Sequence, residues 1–256
     1  AFFGGIFNET GYSVRGEAIA VRSSSVPRDI VMVIDCSTSM DANMSNGLSR
    51  MENSKDAAQA LIDELQEEDR VALGVFSWKD NSRNRYKKTG RKETDLDFDH
   101  DPTYDRVEDL EDGFYTSGTN IAGGLRAGLD VFLADPNPRP PPEPEDPEIE
   151  QILVLLTDGQ TNKAEPYPTP DSGPTGVLPP LPFSSGYDKR VAVTRWADTI
   201  KARDIKIHVV TVGNGAYDPL MVDAASPDEG ETTYYHHIAT GGGDSGGLLS
   251  VYKKIG

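Results

Sequence analysis

Three short segments of this 256-residue chain carry side chains that could hold a metal ion: Asp35-Cys-Ser-Thr-Ser39, Ser117-Gly-Thr-Asn120 and Thr157-Asp-Gly-Gln160. Asp35, Ser37, Ser39, Thr119 and Asp158 all offer hard oxygen. Two aspartates and three hydroxyls gathered at one point suit Mg²⁺ or Mn²⁺, small cations that prefer oxygen ligands in octahedral array, with Ca²⁺ a further oxygen-seeking ion; zinc is not the ion such a set suits. Residues 35, 37 and 39 alternate, so on extended backbone their side chains share a face while Cys36 and Thr38 take the other, with Cys36 packed inward. Taken alone, Asp-x-Ser-x-Ser reads as a polar turn or a helix cap. The metal reading depends on what brings the segments together.

Two of the segments follow the chain's longest apolar runs. Asp29-Ile-Val-Met-Val-Ile-Asp35 and Gln151-Ile-Leu-Val-Leu-Leu-Thr157 are β-branched or leucine-rich throughout. That pattern predicts strands covered on both faces of a parallel sheet. Ser49 to Leu65 places Met51, Ala57, Ala58, Leu61, Ile62 and Leu65 on one helical face, and Val71 to Trp78 is a second strand. Thr119 to Leu133 predicts a helix capped near Thr119 or Asn120; Asp188 to Arg203 another; Ile205 to Val212 and Thr232 to Ile238 strands; Leu248 to Ile255 a terminal helix. The alternation specifies an α/β, doubly wound, Rossmann-like, mostly parallel sheet with helices on both faces, whose ligands sit at the carboxyl ends of the strands. Asp35 and Asp158 fall at those ends.

Asp35-x-Ser37-x-Ser39, Thr119 within Ser-Gly-Thr-Asn-Ile, and Asp158 within Leu-Leu-Thr-Asp-Gly resemble the metal-ion-dependent adhesion site of von Willebrand factor A domains. The three parts occur in the family's order, over residues 29–256. The resemblance implies that Ser37, Ser39 and Thr119 bind the ion through their hydroxyls, with Asp35 and Asp158 reaching it largely through water. It also implies a domain at 29–256, preceded by an extension or edge strand at 1–28. Pro-Arg-Asp-Ile-Val-Met-Val-Ile-Asp and Gly-Thr-Asn-Ile-Ala-Gly-Gly-Leu are most similar to bacterial TadG-type pilus-assembly proteins, which implies an extracellular, cell-surface or periplasmic setting.

Composition narrows the partners. A net charge of −17 repels nucleic-acid backbones and anionic membranes. No apolar run approaches the roughly 20 residues of a spanning helix, so no membrane contact is expected within this chain. Three long loops interrupt the pattern. Residues 79–102 run from a basic cluster that pairs with neighbouring acids, through an edge strand, to Asp95, Asp97, Asp99 and Asp101 on a solvated strand face. Residues 135–150 are an extended proline-rich linker, and residues 160–187 are a Pro/Gly-rich loop suited to recognition. His236 and His237, adjacent on a strand, face opposite ways and cannot share one metal. Gly241 to Gly247 reads as a flexible connector, its Gly-Asp-Ser-Gly string notwithstanding.

The function expected is metal-dependent protein binding, for adhesion or assembly in a pilus or on a surface, in which a partner's Glu or Asp carboxylate completes the ion's coordination. No catalytic residue is expected. The alternatives are a metal-dependent hydrolase built on Asp35 and Asp158, which would need a histidine brought in from elsewhere, and a purely structural domain of the same family.

Overall fold

The computed structural model describes residues 26–77, 90–111, 118–139, 148–158, 161, 189–213, 219–230 and 232–238. Six strands form one sheet: β1 (Arg28–Asp35), β2 (Arg70–Phe76), β3 (Gly90–Lys92), β4 (Glu150–Thr157), β5 (Lys206–Val212) and β6 (Tyr235–Ile238), in the order β3-β2-β1-β4-β5-β6. All pairings are parallel except β2 with the edge strand β3. Ile30 to Ile34 are fully buried because side chains on both sides of β1 meet a helical layer. One layer joins Ile30, Met32 and Ile34 to Ala57, Ala58, Leu61 and Ile62 of α1 (Arg50–Asp63) and Val107 of α2 (Asp101–Glu108). The other joins Val31 and Val33 to Ile121, Leu125 and Leu129 of α3 (Ile121–Leu133), Trp196 and Ile200 of α4 (Lys189–Lys201), and Leu220 and Met221 of α5 (Pro219–Ala224).

The crossovers leave β1 and β4 for opposite sides of the sheet, so the order reverses between these two strands. In open α/β sheets ligands bind at such a reversal, here beyond Asp35 and Thr157. α3 reaches its strands at backbone distance: a Cβ on Gly124 would lie 2.6 Å from the Phe76 ring, and one on Gly128 would lie 2.5 Å from Leu153 Cδ1. The two glycines let the helix lie nearly flat on the sheet, which fixes the height of its amino terminus above β1.

The opposite rim is held by charge. Arg70 grips Asp29 through two bonds of 2.8 and 2.6 Å and also reaches Asp135. Arg139 donates to Asp29 and to the carbonyls of Arg28 and Glu68, so the proline-rich segment is fastened at its start. Both guanidinium groups lie over the Phe98 ring.

One expectation needs correcting, and two short helices were not anticipated. Asp95 to Asp101 do not form a strand: Asp97 and Asp99 accept the backbone N–H of Asp99 and Asp101 at 3.0 and 3.2 Å, and such Asx turns replace a ladder. They lead into α2, whose short apolar stripe buries Thr103 and Val107 and gives little helical signal. α5 is likewise unanticipated, being only six residues long. Of the basic cluster, Arg91 pairs with Glu93 and Lys92 with Asp95; Lys79 to Lys88 lie outside the described residues. The terminal helix, the Gly241 connector and residues 1–25 also lie outside them.

Candidate metal centre

Each donor is placed by a specific local device. Asp35 is the last residue of β1 and is fully buried. Its Oδ1 accepts the Ser37 N–H at 2.9 Å, and its Oδ2 accepts the Thr157 hydroxyl at 2.8 Å across the β1–β4 boundary. Ser37 is the N-cap of a 3-10 turn (Thr38–Asp41), yet its hydroxyl makes no capping bond. It lies instead 2.9 Å from the Ser39 hydroxyl and accepts from Thr119 Oγ1 at 3.2 Å. The turn also revises the extended geometry expected for residues 35 to 39. Cys36 packs into the core as anticipated, but Thr38 faces solvent and Ser39 reaches Ser37 across a tightened backbone.

Thr119 follows Gly118, whose φ of 120° takes the chain sharply into α3. The cap of that helix is Asn120, whose side chain accepts the Gly123 N–H at 3.1 Å. Thr119 is thereby released from capping, and its side chain turns to Ser37. Asp158 follows β4 directly and is 8% exposed. Its Oδ2 accepts from Arg50 Nη1 at 3.1 Å, while its Oδ1 is buried and accepts no hydrogen bond.

The five residues therefore gather at one place from three distant segments. Bonds through Ser37 link Asp35, Ser39 and Thr119, and Arg50 Nη1, which also donates to the Ser39 carbonyl at 3.2 Å, joins Asp158 to them. Burial first, and then the negative charge of Asp158, push the Asp35 carboxyl up to about 7, against the Ser37 and Thr157 bonds that pull it down. The donors fit a hard divalent ion: a buried carboxylate oxygen stands unpartnered, three hydroxyls lie beside a second carboxylate, and two acids crowd a site that positive charge would relieve. Among the described residues no three of His, Cys, Asp and Glu form a metal-ligating group. Of the long loops, Thr161 touches this rim, 3.5 Å from the Thr119 carbonyl.

Two residues of the centre do not stand out by motif. Thr157 orients Asp35. Arg50 opens α1, where a cation meets the positive end of the helix dipole; that misfit is the trace its role leaves in the sequence. The polar rim continues away from the five candidate donors: Thr157 pairs in register with Thr211, whose hydroxyl lies 3.1 Å from His237 Nδ1. His236, on the other face of β6, stacks at 6.0 Å on His208, which burial and then His236 push down to about 4.

Fold and rim together define a doubly wound domain with oxygen donors gathered at its switch point. Residues 29–239 match the model of the von Willebrand factor type A domain, and the chain belongs to that family. Comparison with curated proteins gives no match. Among solved structures, the chain is similar to the pilus adhesin SpaC from Lactobacillus rhamnosus GG, with 18% identity and a TM-score of 0.61 over 91% of this chain and 30% of that one. It is also similar to proximal thread matrix protein 1 from the mussel byssus with a zinc-occupied MIDAS motif, with 17% identity and a TM-score of 0.57 over 90% and 46%. A third is the von Willebrand factor type A protein from Catenulispora acidiphila, with 16% identity and a TM-score of 0.56 over 90% and 42%. This chain spans less than half the length of each of these three. No described helix is long and apolar enough to cross a membrane.

Proposed function

We propose that the domain binds a divalent cation through Asp35, Ser37, Ser39, Thr119 and Asp158 and uses it to capture a carboxylate of a protein partner. The observation that carries this reading is the convergence of those five side chains, with Asp158 Oδ1 buried and unpartnered. Neutral hydroxyls dilute the negative charge around the ion and leave it electrophilic toward an outside acid. Similarity to a pilus adhesin and to a byssus matrix protein supports adhesion or assembly outside the cell, in a pilus or on a surface, as the setting. Mg²⁺ is the ion proposed, with Mn²⁺ and Ca²⁺ next. The mussel protein has a zinc-occupied MIDAS motif, so zinc belongs in the titration.

The hydrolase alternative would need a histidine brought to these donors. His100 Nε2 contacts the Asp69 carbonyl, His208 packs on Tyr234 and His236, and His237 sits on Thr211, so none of the chain's four histidines is bonded to the five donors. Calorimetric titration of the metal-free domain with Mg²⁺, Mn²⁺, Ca²⁺ and Zn²⁺, repeated on Asp35→Ala, tests the metal centre. Saturable binding lost in the variant is expected, and equal binding by both proteins would sink the assignment. Capture of a glutamate-bearing peptide that disappears on chelation tests the function.

A further inference from the structure

Arg50 is a permanent cation inside the cluster of donors. Its side chain is 19% exposed, and its Nη1 is shared between Asp158 Oδ2 and the Ser39 carbonyl. Its Nε is buried without a hydrogen-bond partner. The space it fills is made for it: Gly213, with φ of +107°, ends β5 beside the guanidinium, where a Cβ would lie 2.7 Å from Nη2 and 2.8 Å from Cζ. At the first position of α1 the positive charge also opposes the helix dipole. Nothing about α1 alone favours an arginine there. Asp158 across the β1–β4 boundary does.

Resting on the metal-binding reading above, we infer that Arg50 is a resident counter-charge that holds the cation affinity of the centre below what its five donors alone would give. The charges explain the effect. With both aspartates ionised, Arg50 offsets one of their two charges, so a divalent cation meets one net negative charge where the donors alone would present two. With the ion in place, the centre carries one net positive charge, where without Arg50 it would be neutral. Cation affinity is thus exchanged for attraction toward an incoming acid. Because Asp158 Oδ1 is not engaged by Arg50, the arginine can stay on Oδ2 throughout.

Mn²⁺ titration of the metal-free wild type, Arg50→Gln, Arg50→Met and Arg50→Lys at fixed pH and salt tests this, with circular dichroism to verify folding. Arg50→Gln and Arg50→Met, which remove the charge, are expected to bind Mn²⁺ at least about tenfold more tightly, the scale of one unit charge acting on a divalent ion at close range even with the screening of water. Arg50→Lys, which keeps the charge, is expected to stay near wild type. A merely structural arginine has the opposite sign, because its loss would loosen the Ser39 turn and weaken binding. Unchanged or weaker affinity in the neutral variants, or an Arg50→Lys as tight as they are, overturns the inference while leaving the metal centre standing. Binding by the neutral variants alone supports it, and absence of binding in every protein overturns both. The methionine variant, which keeps the long stem beside Gly213, carries the test should glutamine prevent folding.

Discussion

Thr157 Oγ1 donates to Asp35 Oδ2 at 2.8 Å, tying the last residues of two neighbouring parallel strands together at the rim that holds the proposed ion. Both residues are fully buried, so the bond has no competition from water. Asp35 is thereby fixed before any cation arrives.

Thr157→Val keeps the shape and removes the donor. A buried carboxylate oxygen left unsatisfied costs about 1–3 kcal/mol, and loss of a group that orients a ligand costs about tenfold or more in metal affinity. Urea unfolding and Mn²⁺ titration of the variant measure the two effects. No change in either would show that the bond does not orient Asp35.

Asp35 should contribute more to the stability of the metal-free domain as pH falls, the reverse of most carboxylates. Asp35 is raised from 3.8 to about 7 in the folded chain. Between those values the folded state binds more protons than the unfolded state, so this group's contribution declines as pH rises from about 4 to about 7. A cation must replace that proton, so its affinity climbs over the same interval and levels off above about 7. Thermal unfolding in chelator should therefore show a contribution to Tm that falls with pH and is absent in Asp35→Asn, while excess Mg²⁺ counters the fall. A wild type that tracks Asp35→Asn across this range in chelator would refute the shift.

Gly124→Ala should destabilise the domain although alanine is the better helix former. The gain in propensity is about 1 kcal/mol, whereas forcing a methyl into the Phe76 ring at 2.6 Å costs about 1–3 kcal/mol. The same displacement lifts the amino end of α3 and with it Thr119, so cation affinity should fall as well. Equal or higher stability in a denaturant titration would mean that the helix yields without cost.

Asp29→Ala should separate scaffold from site. It removes the acid gripped by Arg70 and Arg139 at the far rim, both partners of the Arg70 pair being 3% exposed. About 3 kcal/mol is expected, as for breaking a buried ion pair. Mn²⁺ affinity of the folded variant should stay within twofold of wild type, a difference worth less than RT, roughly 0.6 kcal/mol, for groups this far apart. A large loss of affinity would show that the two rims are coupled.

The sheet could be read from the chain because Ile30 to Ile34 and Ile152 to Leu156 have no polar face, which only a doubly covered strand explains. The candidate donors could be named because each sits near the end of such a run or at a helix start. What could not be read depends on contacts between remote segments. Arg50 and Asp158 are 108 positions apart, and only the adjacency of β1 and β4 brings them together. The choice of Asn120 over Thr119 as helix cap is a competition between two acceptors that only the fold settles. α2 and the aspartates before it were obscured because alternating Asp residues satisfy the period of a strand while their side chains build turns.

The donors come from three layers. Ser39 belongs to the side of the sheet covered by α1, Thr119 to the side covered by α3, and Asp35 and Asp158 to the ends of the strands between. A chain with either helical layer undocked loses part of the ligand set, however well the rest has folded. Ion retention would then act as a certificate of complete maturation, and a partner that recognises the loaded centre would pass over half-formed copies without any separate inspection.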